Sequence, residues 1–582
     1  MTWPLAPNRQ RAPVPPGSLS RAGVVFWVLL FPLLAIVPGL MMGLHADDWF
    51  LTRPQSLAGV LATFGGDWNA GERGIGGFYR PLVRVTFHLD RLLTGNSPWG
   101  LHLTNGLLFA GVVAATWSLA ARLFPASTAG LFAALLVLLT PLKNEALFWV
   151  SGRTDLVAGA LAFWALVLWV RWLDGGGPRH AGGALVCFLL ACMGKETALP
   201  MGLVMALGWA LLSRDRTSWR LGLLAPLLVA VGFFAFRQML LGGLGGYRAE
   251  EPRTAWLLAE GILRSVSALA CPWQCGGAGA FSITVGILGT TLLGIWLWLL
   301  GFPRVECWLA ASTLILLVPL VFAPPSVADG TRLLIPGIVT SSVLMAGIFR
   351  GVFGRGLMVV GLVAMQPSNL SIMGEFIRAG RIQAAIVDVA VDHIAEKGSG
   401  TYVFPVPARM EHRRILDPGL DLDHAVITRL MLADPALSAT SLMNESQPIP
   451  ATLLESASRR IVVAGMLFPE FEEGEVIRVR GDAVVSAPFT RSAELDAGPR
   501  RLVAAHLVAD SGPRSAALEV GDWSTEAPFH RVGEESHCWL TTIDAPFGVA
   551  GPVNVSVVPV GLSLRRLELV AFDLGQAKRL MP

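Results

Sequence analysis

Residues 22–49 read AGVVFWVLLFPLLAIVPGLMMGLHADDW, and this stretch decides the class of fold. From Ala22 to Leu44 it carries no charge, and Arg9, Arg11 and Arg21 precede it. A helix needs about 20 apolar residues to cross the hydrocarbon of a bilayer. The run is too long for the apolar region of a secretory signal, and no small-x-small cleavage site stands before His45-Ala46-Asp47. It reads as a retained first helix with its N-terminus in the cytoplasm, where basic residues collect.

The same pattern recurs along the chain. Of the 582 residues, 53% are hydrophobic and 15% charged, with a mean hydropathy of +0.57; a soluble globular chain carries roughly a quarter charged residues. Candidate spans are 22–44, 101–121, 126–142, 155–171, 180–194, 197–213, 221–241, 280–302, 305–323, 332–349 and 356–367. Numbered alternately from a cytoplasmic N-terminus, they put Arg122, Arg171, Arg179, the Arg214–Arg220 cluster, Arg304, Arg350 and Arg355 inside. The segment 255–273 carries Glu260 and Arg264, which are costly at a bilayer centre, so it reads as an interfacial or re-entrant helix.

The expected architecture is an α-helical multi-pass membrane protein of about 11 spans, followed by a soluble α+β, β-rich domain. Its parts are a cytoplasmic tail (1–21), a membrane domain (22–367) with a long outer loop (45–100), a mixed α/β segment (368–458) and a β-rich domain (459–582). In the last part, short apolar runs at Arg460–Leu467, Glu475–Arg480, Arg501–Val508, Ala516–Val520, Val553–Val558 and Leu567–Phe572 suggest a sandwich-like sheet. A net charge of +3 leaves no basic surplus for a nucleic-acid partner, and the six cysteines form no metal-ligand pattern.

Chemistry-bearing residues gather on one face of this topology. The first outer loop opens with Asp47-Asp48 and contains a helix starting at Pro81, with Leu82, Val85, Leu89, Leu92 and Leu93 in an apolar stripe. Arg84, His88 and Arg91 lie on or near its other side, so it reads as lying in the interface plane. Later outer loops carry Lys143-Asn144-Glu145, Ser151-Gly152-Arg153-Thr154-Asp155, Lys195-Glu196 and Asp329-Gly330-Thr331-Arg332. An outer-loop carboxylate is suited to take the proton of a hydroxyl that attacks a sugar's anomeric carbon. Arginine or lysine is suited to stabilise a departing phosphate. The structural alternative is that the acids mark helix ends and the pairs tie helices together.

Five motifs in order resemble the C-type (GT-C) glycosyltransferases that use lipid-phosphosugars: Asp47-Asp48; Tyr79-Arg80-Pro81-Leu82; His102-x-x-Asn105-x-x-Leu108; Glu145 with Ser151–Leu156; and Gly194-Lys195-Glu196. The nearest subgroup resembles bacterial relatives of the transmembrane, tetratricopeptide-repeat O-mannosyltransferases. The protein O-mannosyltransferases and aminoarabinose transferases are similar in plan. The resemblance covers about residues 40–340 and extends to Arg332-Leu-Leu334-Ile-Pro336.

The resemblance implies inverting transfer from a polyprenyl-phosphate sugar, with Asp47 or Asp48 as general base. It implies Arg80, Arg153, Lys195 and Arg332 as holders of the carrier phosphate, and Tyr79, His102, Asn105, Glu145, Asp155 and Glu196 as further substrate-site residues. The implied acceptor is a protein or glycan, the implied location the inner membrane with the C-terminal domain outside the cytoplasm. No cofactor is required, and a divalent metal is not indicated. Thr140-Pro141 stands where the family often has His-Pro, Phe109 where a second His usually stands, and no tetratricopeptide repeat follows. Two other classes remain for comparison: a lipid or glycan transporter, which favours charges deep in helices and internal repeats, and a membrane scaffold presenting the C-terminal domain.

Overall fold

A computed structural model describes residues 30–44, 48–52, 55–68, 77–95, 97–125, 127–213, 217–242, 255–272, 280–321 and 331–377, a few single positions beyond, and the backbone of strands between 401 and 573. The helices are α1 (Leu30–Met41), α2 (Asp48–Leu51), α3 (Leu57–Ala62), α4 (Pro81–Thr94), α5 (Pro98–Leu123) and α6 (Ala129–Leu139). There follow α7 (Pro141–Phe148), α8 (Val150–Leu173), α9 (Pro178–Gly194), α10 (Glu196–Leu212) and α11 (Arg220–Leu241). Last come α12 (Ala255–Ala270), α13 (Ala280–Leu299), α14 (Arg304–Leu317), α15 (Thr331–Ile348) and α16 (Val352–Ile377).

The protein is a multi-pass helical membrane protein. In hydrocarbon every backbone N–H and C=O must be satisfied within its own segment, which a helix does and an open strand does not. Each expected span overlaps a described helix, the first of them over residues 30–41. Five of these helices, α5, α8, α11, α15 and α16, are long and apolar enough to cross by themselves, and α6 with α7 makes a sixth bent by 58°. The bend falls at Thr140-Pro141, where proline lacks the N–H a continuous helix would use and the Thr140 hydroxyl accepts from Leu142 N. α16 runs on to Ile377, past the domain boundary expected at 367.

α8 is the centre of the bundle. Leu156, Phe163, Leu166 and Trp169 are fully buried, and α8 packs against α5, α9, α10 and α15. Membrane helices associate through close packing and satisfied polar groups, because lipid is as apolar as leucine. Here Trp169 Nε1 donates to Met205 O at 2.8 Å, Trp308 Nε1 donates to Val204 O at 3.0 Å, and the Thr313 and Thr340 hydroxyls meet at 2.9 Å. The outer faces are apolar: Met239, Val352 and Phe353 are each more than 80% exposed, a surface for lipid rather than water.

Helix α4 is inside out. Leu89, Leu92 and Leu93 face outward while Arg84 and Asp90 are buried. The leucine stripe therefore suits the bilayer interface, and the charges are aimed at the bundle. In α12, Glu260 and Arg264 satisfy each other as an ion pair one turn apart.

Beyond residue 400, β1 (Thr401–Phe404) pairs in parallel with β2 (Ser441–Asn444). The other strands are β3 (Ile477–Val485), β4 (Phe489–Leu495), β5 (Arg501–Ala509), β6 (Ser515–Val520), β7 (Trp523–Pro528), β8 (His530–Arg531), β9 (Cys538–Ala545), β10 (Gly551–Val557) and β11 (Leu562–Asp573). They form antiparallel sheets in the orders β4-β10-β6-β7 and β3-β11-β5-β9-β8. Five of the expected strand runs overlap these strands, and Arg460–Leu467 lies outside the described residues.

The contact between α10 and α11 gives a test. A Cβ added at Gly202 would lie 2.8 Å from Pro226 O and 3.0 Å from Ala230 Cβ. Gly202→Val should cost about 1–3 kcal/mol by overpacking, seen as a lowered apparent melting temperature in detergent. An unchanged melting temperature would mean that these helices do not meet there.

Candidate active site

Three helix ends and two loop turns bring six charged side chains into one row. Arg80 directly precedes α4, and its guanidinium forks onto Glu196, with Nη2 to Oε1 at 2.8 Å and Nε to Oε2 at 3.3 Å. Beside Glu196, at the turn between α9 and α10, Lys195 Nζ donates to Asp155 Oδ2 at 2.6 Å. Asp155, in the first turns of α8, is 3.8 Å from Arg332 Nε. Arg332 Nη1 donates to Glu145 on α7, whose other oxygen accepts Thr331 Oγ1 and Arg332 N, both at 2.9 Å. The charges thus alternate: Arg80, Glu196, Lys195, Asp155, Arg332, Glu145. The Arg332 guanidinium lies 4.1 Å from the Trp149 ring centre and that of Arg80 lies 4.4 Å from Phe78, close enough for cation–π attraction.

The row is mostly sheltered. Exposure of its side chains peaks at 27% for Glu196 and 14% for Arg332, while Asp155 and Lys195 stay at 3% and 6%. Burial would raise the Glu196 carboxyl, but Arg80, by charge and hydrogen bond, and Lys195 outweigh it and hold it down at about 2. Burial pulls the Lys195 ammonium below its ordinary value. Asp155 and Glu196 oppose that shift, while Arg80 and Arg332 reinforce it.

A second set lies beneath the row. Arg153 is fully buried, and each of its nitrogens is engaged: Nη1 with Asp90 at 2.6 Å, Nε with Asn105 Oδ1 at 2.9 Å and Nη2 with Leu101 O at 2.6 Å. Asn105 Nδ2 reaches Trp149 O at 3.1 Å and Ala146 O at 3.4 Å, so it links α5 to the α7–α8 turn. Gly152 fits there because a Cβ would meet the Ala146 backbone at 2.8 Å. Asp48 is buried, and its carboxylate accepts Ser151 N at 2.6 Å and Val150 N at 3.3 Å. His102 Nε2 is 3.4 Å from Gly43 O, and its Nδ1 has no hydrogen-bond partner among the described residues.

Tyr79, 2% exposed, donates to Phe64 O at 3.2 Å and packs edge-on against Phe236 of α11; burial pushes its phenol up. Of the sequence-predicted residues, Arg80, Glu145, Asp155, Lys195, Glu196 and Arg332 thus form the row. Asp48, Asn105 and Arg153 form the layer under it, with His102 also buried, and Asp47 lies outside the described residues.

The cations differ in what they still offer. All three N–H groups of Lys143 have acceptors, namely Thr140 O, Asn144 Oδ1 and Asn369 Oδ1 at 3.1, 2.9 and 2.8 Å. Lys195 donates to Asp155 alone among the described residues, so two of its three N–H groups remain for an incoming acceptor.

Sequence reasoning missed three participants. Arg237, a lone charge in the apolar run 221–241, donates to Gly77 O at 2.8 Å and lies close enough to Glu196 and Arg80 to feel their charge; an arginine inside a span is itself the signal. Asp90 had none, being one acid on an amphipathic helix. Asn369 had none either, since its bond to Lys143 joins residues 226 apart.

Residues 81–240 match the family described as dolichyl-phosphate-mannose-protein mannosyltransferase. Protein O-mannosyl-transferase Tmtc2 of Drosophila melanogaster is 34% identical over 143 residues, 23% of this chain and 15% of that protein. Human protein O-mannosyl-transferase TMTC3 is 32% identical over 93 residues, 16% of this chain and 10% of that protein. The chain therefore matches only a small part of the length of these relatives. Among solved structures, ArnT from Cupriavidus metallidurans bound to undecaprenyl phosphate aligns over 73% of this chain and 90% of that one, at 15% identity and a TM-score of 0.40. Mycobacterial arabinofuranosyltransferase AftD aligns over 95% of this chain and 61% of that one, at 12% identity and a TM-score of 0.35. The chain resembles protein O-mannosyltransferases over part of its length.

The Lys143 clasp can be tested on its own. Asn369→Ala removes one acceptor from a buried ammonium and should cost about 1–3 kcal/mol, measured by thermal unfolding in detergent. Asn369→Asp, which restores an oxygen and adds a counter-charge, should recover most of that loss. Equal melting temperatures for wild type and Asn369→Ala would contradict the clasp.

Proposed function

We propose that this protein is a membrane glycosyltransferase that moves a sugar from a polyprenyl-phosphate carrier to an acceptor hydroxyl outside the cytoplasm. The observation that carries the reading is Lys195: a sheltered ammonium fixed by Asp155, with two N–H groups left over, flanked by Arg80 and Arg332. A phosphate monoester leaving a sugar gains negative charge, and cations already held in place stabilise that charge without reorganising.

In the proposed step the acceptor oxygen bonds to the anomeric carbon as the bond from that carbon to the carrier phosphate oxygen breaks. The acceptor's proton goes to a carboxylate of the first outer loop, Asp47 or Asp48. The bond-breaking electron pair stays on the phosphate, facing Lys195 with Arg332 and Arg80. The transfer is direct and inverts the sugar. Arg153, with each nitrogen engaged inside the bundle, is assigned to holding the α7–α8 turn rather than to the phosphate.

The surrounding proposals follow from the topology. The N-terminus lies in the cytoplasm of a cell with the protein in its inner membrane, the row faces the opposite side, and the region after α16 stands on that side as a soluble domain. The name of the relative Tmtc2 supports a protein hydroxyl as acceptor, with a glycan as the other candidate.

Mass spectrometry of lipids retained by gently purified protein tests the donor. Wild type should retain a polyprenyl-phosphate sugar, and Asp47→Asn/Asp48→Asn should retain more of it. Lys195→Met should retain less, and should lower turnover by about 10²–10³-fold, the loss typical of removing one such group. Only bulk phospholipid in every sample would favour the scaffold or transporter classes. Donor affinity should also fall with rising pH, beginning below the ordinary lysine range, because burial lowers the Lys195 ammonium in the free protein. Affinity that stays flat until that range would remove Lys195 from the phosphate site.

A further inference from the structure

We infer that Asp48 is a positioning residue, a clamp that sets the N-terminus of α8, and not the group that takes the acceptor's proton. The inference rests on the glycosyltransferase reading for its catalytic part only; the clamp itself stands on geometry. α8 begins at Val150, and the first N–H groups of any helix have no partner within it. Asp48 supplies that partner from 102 and 103 residues away: its two carboxylate oxygens accept Val150 N and Ser151 N separately. An anion at this end of a helix is favoured by the aligned peptide dipoles as well as by the two hydrogen bonds.

The residue is held from both sides. α2, which carries it, is a single turn, and Thr52 Oγ1 donates back to Asp48 O at 2.7 Å. The turn's last residue, Leu51, gives its carbonyl to Arg84 Nη1 at 2.7 Å, and Arg84 also binds Trp68 O at 3.1 Å. With 0% exposure and a backbone amide on each oxygen, the carboxylate is already engaged at the helix N-terminus.

What the clamp positions is the row. Ser151 O accepts the Thr154 hydroxyl at 3.3 Å, the same hydroxyl is 3.3 Å from Asp155 Oδ2, and Asp155 Oδ2 holds Lys195. Four contacts in series thus join Asp48 to the proposed phosphate ligand. The first outer loop is coupled in this way to the α7–α8 and α9–α10 turns, and the proton transfer is left to Asp47.

Hydrogen exchange and turnover together test the assignment, on full-length protein in nanodiscs. Asp48→Ala should speed amide exchange in the peptide spanning residues 149–155 by roughly tenfold or more. Asp48→Asn keeps one acceptor oxygen and should show an intermediate effect. In transfer assays Asp48→Asn should keep measurable turnover with the wild-type pH profile and a raised KM for the donor, whereas Asp47→Asn should lose about 10²–10⁴-fold in kcat, as expected for a general base.

Exchange in Asp48→Ala that matches wild type would overturn the clamp. Asp48→Asn with near-wild-type exchange but turnover down by the factor expected of a lost base would make Asp48 the base. If wild type itself transfers no sugar while Asp48→Ala still accelerates exchange, the clamp stands and the glycosyltransferase reading falls.

Discussion

Charge inside a membrane-embedded bundle has to be paired, and that constraint organises this protein. An isolated ionisable side chain at bilayer depth costs a few kcal/mol even on lenient scales. A buried pair repays its desolvation only when geometry and further hydrogen bonds are good. The row from Arg80 to Glu145 meets the condition by alternation, each cation lying between or beside acids, with Thr331 Oγ1, Arg332 N and the Trp149 face completing the Glu145 and Arg332 ends. The helices that carry these residues come from sequence positions 80 to 332, so the pairing also fixes how their ends stand to one another.

The N-terminus of α8 is where the pairings converge. Asp48 meets its first amides, Asn105 meets the turn that precedes it, Asp90 neutralises Arg153, and Asp155 reaches out to Lys195. Two layers result, with different duties. The lower one saturates its donors and fixes the turn. The upper one keeps part of its hydrogen-bonding capacity, chiefly on Lys195, which a ligand can use. Lys143 shows the contrast within one residue type: the same ammonium, buried to a similar degree, is fully engaged by neutral oxygens and offers nothing further.

Much of this was legible in the sequence because hydropathy and charge placement are one-dimensional signals. The apolar runs overlap helices, and charges at their ends mark the segments that form the row. Which charge does what was not legible, because that depends on contacts between distant segments. Arg153 and Lys195 look alike in sequence, each a cation within two residues of an acid at the end of an apolar run. Only the folded chain separates the one saturated by Asp90, Asn105 and Leu101 from the one with spare donors. In α4 periodicity finds the leucine stripe that the structure leaves exposed, but does not say which partners Arg84 and Asp90 take in the bundle. Asn369 belongs to a helix whose expected end fell at 367, and nothing local announces its bond to Lys143.

The central claim is that the row holds a carrier phosphate. A cryo-electron microscopy structure of the protein in nanodiscs supplied with a polyprenyl phosphate tests it most directly. The account predicts phosphate density in contact with Lys195 Nζ and bordered by the Arg332 and Arg80 guanidinium groups. Phosphate density seated elsewhere, with Lys195 still held by Asp155 and making no contact to the phosphate, would contradict it.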